Sequence, residues 1–117
     1  MKILSELDLR AVLNSKWMHI NDFSFEYEGR LFTIPKGSIT DLSSIPKIAR
    51  VFISGTGLDR WGGAIHDYLY SIGHDRAEAD LIFKRCLLLF GVSKFKAYSM
   101  YYAVRLGGSG RWHELRK

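Results

Sequence analysis

Hydrophobic and polar positions alternate in the first third of the chain and recur every three to four residues beyond it. In FSFEY, Phe23, Phe25 and Tyr27 fall on one side and Ser24 and Glu26 on the other, and LFTIP repeats the pattern from Leu31 to Pro35. The intervening Glu28-Gly29-Arg30 predicts a β-hairpin with Gly29 in its turn. Pro35 ends the second strand, and a third short strand fits Ser38 to Thr40. Alternation begins at Trp17. Ahead of it, residues 2–14 place Ile3, Leu7 and Leu9 to Val12 on one side of a short amphipathic helix.

Helical spacing takes over after Thr40. In TDLSSIPKIARVFI, Ser43 or Ser44 can cap a helix and Pro46 is tolerated in its first turn, so a short helix is expected over Ile45 to Phe52. SGTG (Ser54 to Gly57) reads as a loop. Three longer helices follow. The first spans about Leu58 to Ile72, with Trp61, Ile65, Leu69 and Ile72 as its apolar stripe. The second spans about Arg76 to Phe90, with Asp75 as cap and Glu78 three residues on, a capping box, and stops at Gly91. The third runs from after Ser93 to about Leu106 and stops at Gly107-Gly108. The expectation is an α+β fold, a small N-terminal antiparallel sheet followed by a bundle of three to four helices. It forms one domain over 1–117, with a core at about 17–107 and a loosely ordered basic tail at 108–117.

Length agrees with one domain, since domains commonly run about 100–150 residues, and 47% hydrophobic residues suffice for a core. The N-terminal MKILSELDLRAVLN has no unbroken apolar stretch of the signal-peptide kind. The longest apolar run, Cys86 to Val92, is far short of the roughly 20 residues of a spanning helix. Cys86 has no partner cysteine, which points to a reducing compartment. The net charge of +5 is uneven: from Lys84 onward eight basic residues face Glu114 alone, leaving the rest of the chain at −2. That asymmetry favours an anionic partner or substrate, with nucleic acid the weakest case because AYSMYYAVR (Ala97 to Arg105) carries few cations among tyrosines expected mostly in the core. A solvated basic surface explains the same charge.

The chemistry-bearing residues sit inside the best helical sequence. Gly62, His66 and Tyr70 share a face of the first long helix, and Asp80 lies in line with Ala77, Phe83 and Leu87 on the second, toward the core. A buried carboxylate requires partners. The short link through Gly73-His74 forces the two helices antiparallel, and at about 1.5 Å per residue His66 and Asp80 come to similar heights. Asp80 then bonds one ring nitrogen of His66 and leaves the other for chemistry, the base-and-orienter half of a hydrolytic site, with Tyr70 as a supporting hydroxyl. Asp67 and Asp41 are candidate metal ligands, for Ca²⁺ or another divalent cation, and Thr40, Ser43 and Ser44 are candidate binding hydroxyls. Gly62 and Gly63 suggest a close approach by another backbone or a substrate. Each feature also has a structural explanation: the His–Asp pair as a clasp between helices, Asp41 and the hydroxyls as caps. His74 lies at the turn and Asp75 is a cap. No tetrahedral zinc spacing, Walker loop, GxSxG or GxGxxG occurs.

Three motifs in order, PKGSITDLSSIPK (Pro35 to Lys47), AIHDYLY (Ala64 to Tyr70) and AEADLIF (Ala77 to Phe83), resemble the family of small proteins from tailed phages and prophages known as domain of unknown function 1353, over roughly residues 17–107. The resemblance implies a phage origin and a place in the bacterial host's cytoplasm or the virion. His66, Asp67 and Tyr70 also resemble the His-Asp-x-x-Tyr helix of secreted phospholipases A2, in which the His is the base, the first Asp binds Ca²⁺ and an Asp of a second helix, matched by Asp80, orients the His. The glycine- and cysteine-rich calcium loop and the disulfides of those enzymes are absent; SGTGLDRW (Ser54 to Trp61) is the candidate replacement. Two functions follow: a small hydrolase of ester or phosphodiester bonds, or a non-catalytic virion, tail or host-factor-binding protein in which His66 and Asp80 only join helices.

Overall fold

The structure, a computed structural model, describes residues 1–13, 16–41 and 58–107, with side chains described from Trp61 onward in the last stretch. The chain divides into two units, Met1–Asp41 and Leu42–Lys117. The expected helix at 45–52, Ser43 and Ser44, the 54–57 loop and the tail at 108–117 lie outside the described residues.

In the N-terminal unit the expected hairpin is present. Strands β4 (Phe23–Tyr27) and β5 (Arg30–Ile34) pair from Tyr27↔Arg30 to Phe23↔Ile34. Both turn residues are left-handed, Glu28 at φ 50° and Gly29 at φ 76°, the mirror-image turn that matches strand twist. The alternation buries Phe23, Phe25, Tyr27 and Ile34, each fully buried side chain stabilising by about 1.5–3 kcal/mol. Phe25 stacks on its cross-strand partner Phe32 at 5.0 Å. On the outer face the Ser24 and Thr33 hydroxyls lie 2.9 Å apart.

The N-terminal segment forms strands and not the expected helix. Strand β1 (Lys2–Ile3) pairs with β4, Ile3 opposite Phe25, and β2 (Leu9–Val12) pairs with β3 (Lys16–His19). Exposure alternates residue by residue from Met1 to Asp8, burying Leu7. Leu4 N–H donates to the Ser24 carbonyl at 3.0 Å and Ser24 N–H to Ser5 Oγ at 2.7 Å. A lone helix of about a dozen residues is marginal in water, whereas sheet edges offer this segment immediate partners. The third strand expected after Pro35 is β6 (Ile39–Thr40), antiparallel to β3. The two sheets, in order β1-β4-β5 and β2-β3-β6, are antiparallel throughout.

In the second unit the described residues form α1 (Leu58–Ser71), α2 (Arg76–Leu89) and α3 (Lys94–Gly107). On α1, Ile65 and Leu69 are fully buried and Trp61 meets Phe90 edge-on at 5.6 Å. Ile72 departs from the expected stripe: it follows the last helical residue and is 53% exposed. The chain reverses through Gly73 at φ 71°, with His74 N–H donating to the Leu69 carbonyl. Asp75 caps α2 by accepting Glu78 N–H at 3.0 Å, and the Glu78 carboxylate meets His74 Nε2 at 2.7 Å. Gly62 has a packing reason. A Cβ there would stand 2.8 Å from Leu87 Cδ2, so an α2 side chain makes a close approach at this position. Ala97, Met100 and Val104 of α3 pack on Phe83 and Leu87 of α2. Tyr98 and Tyr102 are not core: their positions face away from that stripe and are 41% and 59% exposed.

Candidate functional site

Four-residue spacing puts His66 and Tyr70 on one side of α1, one turn apart, with ring centroids 4.2 Å apart. Phe83 of α2 covers the imidazole at 4.8 Å. Asp80, in the second turn of α2, receives both: His66 Nε2 lies 2.6 Å from Asp80 Oδ1, and the Tyr70 hydroxyl donates to the same oxygen at 2.7 Å. Arg105 Nη1 of α3 donates to Asp80 Oδ2 at 2.9 Å. His66, Tyr70 and Asp80 are fully buried, and Arg105 is about one-third exposed at 33%. One carboxylate thus receives donors from all three helices.

The charges follow from this geometry. Burial alone would raise the Asp80 pKa, but the His66 hydrogen bond and charge, with the Tyr70 and Arg105 hydrogen bonds, hold it below the ordinary carboxylate value. Burial pushes the Tyr70 phenol up, and the Asp80 charge and hydrogen bond push it further. The hydrogen bond to Asp80 raises Arg105. The cluster therefore contains a carboxylate, a guanidinium and a neutral phenol at neutral pH. An ionised carboxylate only accepts, so His66 Nε2 carries a proton and donates it to Asp80. That is the hydrogen bond by which an acid orients an imidazole.

The structure brings three of the sequence candidates together, His66, Asp80 and Tyr70, at the expected heights on antiparallel helices. Asp67, next along α1, is buried at 7% exposure. Asp41 is exposed and Thr40 is buried at the end of β6, both in the N-terminal unit. Ser43 and Ser44 lie outside the described residues. No group of three or more His, Cys, Asp or Glu side chains suited to a metal ion occurs among the described residues.

Arg105 and Arg76 were missed in the sequence. The rise argument that pairs His66 with Asp80 finds Arg105 as well: Asp80 stands about eleven residues before Gly91 and Arg105 about twelve after Ser93, so antiparallel α2 and α3 bring them level. Arg76, first residue of α2, donates through Nη2 to the Val104 and Arg105 carbonyls at 3.0 and 2.5 Å. It satisfies carbonyls that the end of α3 leaves without helical partners and fixes the backbone that carries Arg105.

Fold and site define an α+β protein whose helical unit is organised around a buried His–Asp–Tyr–Arg cluster. Residues 17–104 match the family described as protein of unknown function, DUF1353, and the chain belongs to that family. No curated protein and no solved structure matches the chain. Among the described residues, no helix is long and apolar enough to cross a membrane.

Proposed function

We propose that the helical unit carries a hydrolytic site in which His66 is the general base and Asp80 its orienter. The observation behind this reading is the attachment of His66 through Nε2 to a carboxylate that Tyr70 and Arg105 also bind. A water beside the ring gives up a proton to His66 as it attacks the substrate. Asp80 stabilises the imidazolium that forms, and the proton passes to the leaving oxygen. Esters and phosphodiesters suit one base-activated water, and the basic C-terminal third suits an anionic substrate. A divalent cation, Ca²⁺ or another, would use Asp67, and the likeness of His66, Asp67 and Tyr70 to the phospholipase A2 helix supports that role. A phage or prophage protein, acting in the host cytoplasm or carried in the virion, is the setting that accompanies this reading.

A second reading rests on a different observation. His66 has no exposed surface, and Gly62 is explained by Leu87. The cluster is then a clasp, and the chain a virion, tail or host-factor-binding component.

One experiment separates them. Chromogenic carboxylic esters and bis(p-nitrophenyl) phosphate are offered to the purified protein with Ca²⁺, Mg²⁺, Mn²⁺ or Zn²⁺, beside His66→Gln. Hydrolysis that the substitution lowers by about 100-fold or more supports the base. No turnover, together with a His66 ring that diethylpyrocarbonate does not modify, leaves the clasp.

A further inference from the structure

The N-terminal unit holds an open pocket of about 420 Å³ lined by Arg10, Met18, His19, Ile20, Lys36 and Gly37, within the roughly 300–1,000 Å³ of small-molecule sites. Arg10 of β2 stands directly opposite Met18 of β3, which sets a cation beside an apolar side chain on one sheet face. The chain leaves β3 at His19 and returns past Lys36 and Gly37. Its amides are already committed: Gly37 N–H donates to the His19 carbonyl at 2.8 Å, His19 N–H to the Ser38 carbonyl at 2.9 Å, Ile20 N–H to the Asp8 carbonyl at 3.2 Å and Lys36 N–H to Asp22 Oδ1 at 2.7 Å. The pocket's polar chemistry therefore resides in side chains.

Those side chains form a set. His19 is 1% exposed, and its Nδ1 is buried with no hydrogen-bond partner among the described residues. A buried polar nitrogen without a partner is rare and costly. Burial lowers the His19 pKa, so the ring is neutral at neutral pH and adds no charge of its own. Arg10 and Lys36 add two positive charges, no acidic side chain lines the pocket, and Met18 and Ile20 give it an apolar part. Two cations match a dianion better than a monoanion, and a guanidinium fork suits phosphate oxygens.

We propose that this pocket binds a small organic phosphate, its dianionic head held by Arg10 and Lys36 and its apolar body against Met18 and Ile20, with the buried His19 ring beneath them. Nothing in this assignment depends on His66. The test titrates the ¹⁵N-labelled full chain with phenyl phosphate, inorganic phosphate, benzoate and phenol, followed by amide and imidazole nitrogen shifts. Saturable shifts confined to the lining residues and the His19 ring are expected with phenyl phosphate. Arg10→Gln and Lys36→Gln should each raise its Kd by roughly three- to tenfold while leaving the rest of the spectrum unchanged. Failure to saturate, or shifts that ignore both substitutions, overturns the site. Benzoate binding as tightly as phenyl phosphate overturns the choice of phosphate.

Discussion

Replacing Asp80 by asparagine keeps its shape and removes the charge on which three donors converge. Asparagine retains one carbonyl oxygen, which His66 and Tyr70 still reach, but hydrogen bonds to a charged acceptor contribute about 1.5–3 kcal/mol against about 0.5–1.5 for neutral ones. The two buried bonds, at 2.6 and 2.7 Å, thus lose about 1 kcal/mol each. The new amide N–H₂ faces Arg105, where donor meets donor. Because Arg105 is 33% exposed, that loss is discounted to the surface value of about 1 kcal/mol. Asp80→Asn should therefore cost about 3 kcal/mol, at the low end for breaking a buried pair. Urea unfolding followed by far-ultraviolet circular dichroism reads it directly: at a slope of about 1.5 kcal/mol per M the midpoint falls by about 2 M. The pH dependence supplies a second check. A carboxyl held below its ordinary value of 3.8 contributes stability above that pH and loses it as pH falls through the lower folded value. The gap between wild type and Asp80→Asn should narrow below pH 3.8. A cost under about 1 kcal/mol at pH 7 would refute the convergence of donors on a charged Asp80.

His66→Phe combined with Asp80→Leu removes the ion and its main donor together, so it should cost less than Asp80→Asn alone, about 1–2 kcal/mol for the stranded Tyr70 and Arg105 donors; urea midpoints compare the two. Gly62→Ala gains about 1 kcal/mol of helix propensity but forces fully buried Leu87 to move, at about 1–3 kcal/mol, so a net loss near 1 kcal/mol in the same assay is expected. His19, whose pKa burial depresses from 6.5, favours the fold when neutral. Its contribution is present above pH 6.5 and lost as pH falls toward its folded value, with Arg10 and Lys36 opposing the added charge. Amide exchange in β3, corrected for intrinsic rates, should become less protected between pH 7 and 5, and His19→Gln should flatten that trend.

Legibility in the sequence followed how local each signal was. The hairpin was readable because Phe23, Phe25 and Tyr27 alternate around a glycine turn, and both helix ends flanking Gly73 and Gly91 were readable from turn chemistry. Residues 2–13 were not, because Ile3, Leu7, Leu9 and Val12 satisfy a helical stripe about as well as strands, and only the distant partners β3 and β4 decide between them. The tyrosines misled for a related reason. Aromatic content suggests core, yet Ala97, Met100 and Val104 already fill the buried stripe of α3, leaving Tyr98 and Tyr102 outside. His66 and Asp80 could be paired because a short link fixes α1 against α2. Arg105 sits on a third helix and was read only as surface charge.

The position of Arg105 bears on what the cluster is for. A clasp between α1 and α2 needs only His66 and Asp80, and apolar residues of similar volume often stabilise as well or better. Here Tyr70 shares Oδ1 with His66, Arg105 takes Oδ2, and Arg76 braces the backbone that presents Arg105. Together these bonds keep Asp80 ionised despite its burial, and an ionised Asp80 holds a proton on His66 Nε2 and fixes the orientation of the ring. Helix pairing does not depend on that orientation, whereas proton transfer does. The arrangement therefore supports the proposed base more directly than it supports packing. Full burial of His66 is the opposing fact, and access of a small reagent to the ring is the quantity that weighs one against the other.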